Sequence, residues 1–445
     1  MAVEPRGNVC AVTHRRAIDR DRYLLLLGAD MPLRERAVVA ALRVFDGPVA
    51  TTSAQRPVRG GRHFDYVLTG DCLDAASTLH AVREFEVHTG MTPAAAVPFV
   101  DPSLMSAHAV AEHYGLPCLS LDGIRHSSVN KELMKERLAR HGIPTPRPLP
   151  FEDLASLEVA IAELGLPCVL KPSGFGGSMG VILVRDASEV ADACDYAIRT
   201  FEENYERFSI KNHGLQVEPY CDLPHEVSLE VLCHGARHEV LAVVDKDLAP
   251  PPFFAEMGHR VPSAYSGVVA LRDMAVRACA ALGLDRGLAH VEIRHDGGGE
   301  MQVIEVGART GGDGILDLVE RVYGLAPYEW HIRSYLGELG AWPVRAPASG
   351  VAAIAMLKAP PGRIAEVRRP RWSPATPVVR WEVFATAGDV SGRAECYEQR
   401  EGYLEAFWPG RRPEEVPPAA HLALAAALVE DLFLVTEERQ EQALA

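Results

Sequence analysis

The chain has 445 residues, of which 48% are apolar and 24% charged, and its formal net charge at pH 7 is −15. A composition near the globular average excludes wholesale disorder, and a length of about three domains removes any need for disulfides to build a core. The excess of 60 Asp+Glu over 45 Lys+Arg argues against nucleic acid or an anionic membrane as the main partner, although a small anion answers only to its local pocket.

The nine cysteines are odd in number, widely spaced and free of any C-x-x-C. That is the pattern of reduced thiols in a cytoplasmic protein with neither a disulfide frame nor a zinc site. No apolar run reaches the ~20 residues of a membrane span. Residues 1–20 are polar and Arg-rich and lack the apolar stretch of a secretory signal, so they read as a flexible tail.

From 21 to about 125, short apolar runs alternate with amphipathic stretches. Tyr23–Ala29 predicts a buried strand, Arg34–Phe45 has helical spacing, Tyr66–Leu68 is a second strand, and Ala75–Thr89 and Leu104–Tyr114 are helices. This alternation predicts a small α/β layer. Asn130–His141 is a strong helix, stopped by Gly142, Pro144 and Pro146, and 144–150 reads as a linker. Glu158–Leu164 is a shorter helix. Strands follow at Cys168–Lys171 and Val181–Val184 around a glycine-rich turn, then a helix over Ala187–Phe201 and strands at Gln216–Tyr220, Glu226–Cys233 and His238–Val244. A helix over Asp273–Leu282 leads to a hairpin, His290–His295 with Met301–Val306, and to a helix over Ile315–Tyr323. The last hundred residues predict strands near Val351–Leu357 and Val378–Ala385 and a helix near Ala420–Leu434.

Three segments carry chemistry. In VLKPSGFGGSMGVILV, Val169–Val184, glycines at 174, 176, 177 and 180 alternate with Ser173 and Ser178, and Lys171 precedes them. Backbone amides in such a loop approach phosphate oxygens without Cβ interference. The segment is neither G-x-x-x-x-G-K-[ST] nor G-x-G-x-x-G, and a strand rather than a helix follows it. A hairpin folding over a nucleotide fits it better; the plain alternative is an ordinary tight turn. In HVEIRHDGGGEMQVIEV, a symmetric four-residue turn sets His295 opposite Glu300, 292 opposite 303 and 290 opposite 305. Glu292 and Glu305 then share a face as diagonal neighbours roughly 7 Å apart. Carboxylates so placed repel unless a hard divalent cation sits between them, and Mg²⁺ shared with nucleotide phosphates suits that role; the plain alternative is that one glutamate is solvated on an exposed face. Third, Arg309 in ARTGGDG stands between a strand and a glycine-rich helix start, where a guanidinium fork and helix amides together bind an anion. His290 shares the face of Glu292, and Lys246 and Asp245 are within a strand's reach of a substrate.

Taken in order, these segments resemble the ATP-grasp superfamily of carboxylate–amine ligases over about residues 20–340. The resemblance implies an α/β (α+β overall) fold: an N-terminal Rossmann-like α/β domain at 21–125, an ATP-grasp domain at 126–340 with a lid at about 145–220 and a central antiparallel sheet, and a C-terminal subdomain at 341–445. It implies ATP as the nucleotide, held by Lys131, Lys171, Ser173, Gly176, Gly177 and Ser178, with Glu218 and Tyr220 at the adenine and Glu226 at the ribose. It implies Glu292 and Glu305 as ligands to Mg²⁺, two ions being expected and Mn²⁺ able to replace them, and Arg309 on the transferred phosphoryl group. One departure stands out: where many members have E-x-N-x-R, this chain has Glu305-Val306-Gly307-Ala308-Arg309, and Gly307 offers no ligand.

Within the superfamily the chain looks most like the L-amino acid ligases, which make dipeptides. FFAEMGHRVP, Phe253–Pro262, resembles that group's Glu-x-x-His motif, which places Glu256 at the acceptor ammonium and His259 near the reacting carbonyl. Gly350–Ile364 resembles its terminal subdomain. The expected reaction is amide formation through an acyl phosphate, with ADP and phosphate released. The expected partners are a small carboxylate and an amine, read as amino acids, with no nucleic acid or membrane and a homodimer as the open oligomeric option. Two rivals carry the same fold: another ATP-grasp enzyme, such as a carboxylase or purine-pathway ligase, and an inert nucleotide-binding regulator.

Overall fold

A computed structural model describes residues 21–31, 33–54, 63–206, 214–370, 373 and 376–436; the expected tail at 1–20 lies outside them. The chain opens with β1 (Arg22–Leu27), α1 (Glu35–Val44), β2 (Val49–Ser53), β3 (Tyr66–Thr69), α2 (Ala75–Thr89), β4 (Thr92–Pro98) and α3 (Ser103–Tyr114). Their strands form a parallel sheet in the order β3-β2-β1-β4. Alternation along β1 supplies both faces. Leu24 and Leu26 pack with α1, whereas Tyr23, Leu25 and Leu27 pack with α2 and α3. A strand covered on both sides is therefore apolar throughout, as the sequence suggests. β2 and β4 were not expected. The Ala- and Pro-rich β4, TPAAAVP, has little intrinsic strand preference, yet its small side chains fit where helices press on both faces.

The second unit runs through α4 (Leu121–Arg125), α5 (Lys131–Arg140), β5 (Leu149–Phe151), α6 (Leu154–Leu164), β6 (Cys168–Pro172), β7 (Ile182–Val184), α7 (Val190–Asn204) and β8 (Leu215–Pro219). Its sheet has the order β5-β8-β6-β7. β6 and β7 are the hairpin that carries the glycine-rich loop, with Cys168 opposite Val184.

The third unit contributes β9 (His225–His234), β10 (Arg237–Leu248), β11 (Glu256–Val261), α8 (Val269–Ala281), β12 (Arg286–His295), β13 (Met301–Gly307), α9 (Ile315–Tyr323) and α10 (Pro327–Leu336). Beyond it lie β14 (Gly350–Leu357), β15 (Gly362–Val367), β16 (Val378–Val383), β17 (Val390–Ser391), β18 (Gly402–Pro409), α11 (Ala420–Leu432) and β19 (Phe433–Thr436). One antiparallel sheet of eight strands, β13-β12-β9-β10-β11-β14-β18-β16, crosses the boundary expected at 340. β14, β18 and β16 extend the central sheet, β14 being buried along its whole length and paired with β11 on one side and β18 on the other, while β17-β15-β19 form a separate three-stranded sheet. Among the described residues no helix is long and apolar enough to cross a membrane.

The β12/β13 register corrects the expectation. The connecting loop has five residues, so His295 pairs with Met301, and a bulge at Ile304 adds one more shift, so Glu292 pairs directly with Glu305. Two single-residue shifts restore the side-chain period of two. Glu292 and Glu305 share a face, as direct neighbours rather than diagonal ones.

A cluster of charge, part of it buried, also joins the units. Arg380 on β16 reaches Asp317 on α9 at 3.1 Å, Glu405 on β18 at 3.5 Å and Glu35 on α1 at 3.6 Å. Burial, reinforced by Glu405, pushes the Asp317 carboxyl up to about 7. The folded chain thus holds this proton up to a pH near 7, whereas the unfolded chain releases it near 4. Stability from this group is full below pH 4 and is lost as pH rises to 7. Asp317→Asn is therefore expected to gain on the wild type between pH 5 and pH 8, the gap in Tm widening by on the order of 2–4 °C. Thermal melts at the two pH values check this.

Candidate active site

A cavity of about 340 Å³ opens where the three units meet. Its walls come from the β1–α1 loop, the start of α5, the glycine-rich loop, β8, the face of β10–β12–β13, and a segment just before β18.

α5 delivers the first cation. Asn130 caps the helix by accepting from the Leu133 amide at 3.1 Å, which fixes Lys131 in the first turn. The Lys131 ammonium donates to Phe175 O at 2.5 Å and lies 3.3 Å from Glu305. Its backbone N–H donates to Ser173 O at 2.9 Å, so one residue links helix, loop and carboxylate. One turn on, Lys135 shares the face of Lys131. Lys135 and Lys171 each reach one oxygen of Glu218 at 2.5 Å. Burial, with Lys171 adding repulsion, pushes Lys135 down to about 7 against the pull of Glu218. Lys135 was not singled out from the sequence, although the Lys-x-x-x-Lys spacing in NKELMK carried the signal.

The loop after Lys171 turns through left-handed backbone at Gly177 (φ 63°), Ser178 (φ 60°) and Gly180 (φ 72°). A Cβ on Gly177 would stand 2.4 Å from the Tyr397 ring, and the Tyr397 amide donates to Gly177 O at 3.1 Å. Phe175, Met179 and Cys396 form a small buried cluster here. The hairpin is thereby pinned over the cavity by a segment from the far end of the chain.

Opposite the loop lie the paired carboxylates. Glu292 accepts from Lys246 at 2.7 Å and lies 3.2 Å from His290. Lys246 also reaches Glu256 at 2.6 Å and Glu226 at 3.2 Å. Burial opposes charge on Glu292, but Lys246 and His290 outweigh it and hold the carboxyl well below its usual range. Burial likewise opposes the imidazolium of His290, yet Glu230 at 2.6 Å and Glu292 raise it to about 9. Glu305 differs. Burial raises its carboxyl, Lys131 opposes, and Glu292 and Asp101 add repulsion, leaving it above its ordinary value. A half-buried carboxylate that keeps a raised affinity for its proton despite Lys131, facing a second carboxylate beside an open cavity, suits a hard divalent cation with oxygen ligands. The two carboxylates are donors of the kind Mg²⁺ takes.

Arg309 donates from Nε to Asp101 at 2.7 Å and from Nη1 to Thr310 O at 3.0 Å. Asp101 in turn accepts from Ser128 at 2.5 Å. A Cβ on Gly307 would lie 3.3 Å from Arg309 Nε and 3.4 Å from both Asp101 Oδ1 and Ser128 Oγ. The space a side chain at 307 would enter is bordered by Arg309 and by Asp101 and Ser128 from other segments.

Of the residues singled out from the sequence, Lys131, Lys171, Gly176, Gly177, Ser178, Glu218, Tyr220, Glu226, Glu256, Glu292, Glu305 and Arg309 line this one cavity. Ser173 and His259 do not. Ser173 is buried and donates to Gln216 at 3.0 Å. His259 is fully buried on β11, with Nε2 3.4 Å from Asp313 Oδ2. Asp313 itself accepts two bonds from Arg400, at 2.6 and 2.8 Å. Asp101, Arg34, Tyr397 and Arg400 were missed, since each joins the cavity from a distant segment.

Residues 164–317 match the family model described as the ATP-grasp domain. The chain is 27% identical over 316 residues to the uncharacterized protein y4rH of Sinorhizobium fredii, covering 71% of this chain and 58% of that one. It is 27% identical to human carnosine synthase 1 (51% of this chain, 28% of that one) and 27% identical to alanine–anticapsin ligase of Bacillus subtilis (44% of each). The chain thus spans less than two thirds of the length of these relatives. Among solved structures, L-amino acid ligase from Bacillus licheniformis superposes with a TM-score of 0.76 at 22% identity, over 96% of this chain and 100% of that one. The biotin carboxylase domain of 2-oxoglutarate carboxylase from Hydrogenobacter thermophilus gives 0.67 at 16%, over 94% and 90%. Both likenesses show a shared fold.

Proposed function

On the premise that this chain carries an ATP-grasp domain, we propose that it is an ATP-dependent carboxylate–amine ligase that joins two small substrates, amino acids or close analogues, in an amide bond. The observation that carries the proposal is the convergence in one cavity of Lys131, Lys171, the glycine-rich loop, the Glu292/Glu305 pair and Arg309, with Glu256 on the same wall.

Each residue has a chemical task. Lys131 and Lys171 neutralise phosphate charge, and the amides around Gly176 and Gly177 close over it, so positioning and preorganised charge supply most of the rate. Mg²⁺ on Glu292 and Glu305 would supply Lewis-acid stabilisation of the transferring phosphoryl group. Arg309, held by Asp101, meets the carboxylate as it becomes an acyl phosphate and later steadies the departing phosphate. Glu256, one of whose oxygens is taken by Lys246, receives the acceptor as its ammonium and takes the proton that the nitrogen must lose before it attacks and phosphate leaves. His259 acts from behind Asp313 as a positioning residue. The closed hairpin keeps water from the activated carbonyl.

Trapping tests the intermediate. With ATP, Mg²⁺ and hydroxylamine in place of the amine, an accepted amino acid is expected to yield its hydroxamate in step with ADP. ADP formation that depends on bicarbonate and never on an amino acid would point instead to a carboxylase.

A further inference from the structure

Among the described residues, Arg34 is the cation of this cavity with no carboxylate at ion-pair distance. It stands at the start of α1 and is 8% exposed. Its Nη1 donates to Thr310 Oγ1 at 2.6 Å and to Gly311 O at 3.5 Å, both neutral. Among the described residues no carboxylate lies within 4 Å of it. Three guanidinium groups converge here, Arg34, Arg309 and Arg400. Asp101 answers Arg309, and Asp313 answers Arg400. Glu230, on the far side of Gly311, is answered by His290. Arg34 feels Asp101 and Asp313 only from beyond ion-pair distance and has no carboxylate of its own. A buried charge without a partner is costly, and it persists where a ligand completes the pair.

The surroundings describe that ligand. Met31, Leu33, Leu73, Val100 and Ile315 line the same cavity, Leu33 being the neighbour of Arg34 in the chain. Leu33 holds a left-handed backbone (φ 62°) although it carries a branched side chain. Such strain persists where the local shape serves a site. The wall is apolar, and the guanidinium carries one unit of charge. The anion is therefore small, singly charged and attached to hydrocarbon. The reacting carboxylate becomes part of a neutral amide and would leave Arg34 uncompensated again at the end of the reaction. A carboxylate that does not react keeps the pair intact from binding to release.

We infer that Arg34 receives a carboxylate which one substrate keeps through the reaction, and that the apolar wall beside it takes that substrate's aliphatic side chain. The amide product is then itself an acid. This assignment rests on the ligase reading for the identity of the ligand as a substrate.

Equilibrium binding tests it without turnover. L-Leucine, 4-methylpentanoate and L-leucinamide are titrated into the full-length protein by calorimetry, with and without MgADP. The first two are expected to bind and leucinamide at least tenfold more weakly. Arg34→Met should lose at least tenfold in affinity for leucine, while its melting temperature without ligand stays equal to or above that of the wild type, because a buried unpaired charge has gone. If that variant does not fold, the leucine-to-leucinamide ratio of the wild type decides. Equal affinity for leucine and leucinamide, no binding of either acid, or wild-type affinity in Arg34→Met would overturn the assignment. If leucine binds through Arg34 and no amino acid ever elicits ADP, the ligase reading fails and the carboxylate site stands.

Discussion

Replacing Glu305 by glutamine is expected to lower ADP formation by about 10³-fold, the scale on which removal of one preorganised electrostatic group at a transferring centre is felt. Glu305 faces Glu292 directly across the β12/β13 hairpin, and glutamine keeps the shape while withdrawing half of the anionic pair. The fold should survive, because Lys131 retains its bond to Phe175 O. A cooperative melt close to that of the wild type would confirm this, and raising Mg²⁺ should not restore the rate. Glu292→Gln is expected to be as inactive but less stable. Lys246 and His290 both lean on that carboxylate, and buried cations deprived of an anion cost folding free energy. Activity within tenfold of the wild type in Glu305→Gln would remove the metal from this pair.

The second large effect sits at the hairpin. Gly177→Ala places a methyl group 2.4 Å from the Tyr397 ring on a backbone with φ 63°. The loop must lift, and kcat/KM for ATP is expected to fall by about 10- to 100-fold, as misplacement of about 1 Å does elsewhere. The steric and backbone parts separate in a double-mutant cycle. Tyr397→Ala alone should be milder, since the amide of residue 397 still donates to Gly177 O. Adding Tyr397→Ala to Gly177→Ala should recover much of the loss, leaving the left-handed backbone cost of roughly 1–2 kcal/mol. A double variant no better than Gly177→Ala would show that Tyr397 does not latch the loop.

These cases show which parts of the site were legible in the sequence. The end formed by the glycine-rich loop and the paired glutamates was readable because its pieces are local. A glycine-rich turn between two strands and two glutamates on one hairpin announce themselves within about twenty residues each. Even there the register was not, since loop length and a bulge are set by backbone geometry; the shared face survived only because two shifts of one cancel in a period of two. The part around Arg34 and Asp101 was mostly illegible. Arg34 meets Thr310 across 276 residues and Arg309 meets Asp101 across 208, and no spacing rule reports such pairings. Fold elements followed the same division. β1 declares itself by leucines, whereas β4, built of alanine and proline, is a strand by burial rather than by propensity. His259 shows the converse. Its place in a short motif suggested contact with the reacting atoms, but β11 turns the imidazole into the sheet, behind Asp313.

The central claim is amide ligation, and the most direct measurement pairs ADP release with product mass. The full-length protein is given ATP, Mg²⁺ and amino acids singly and in pairs, and products are read by mass spectrometry. The account predicts ADP formation that requires amino acids, one product lighter than its two substrates by one water, and one ADP per product formed. ATP binding without ADP release on any carboxylate and amine offered, or ADP release with no condensed product, would contradict it.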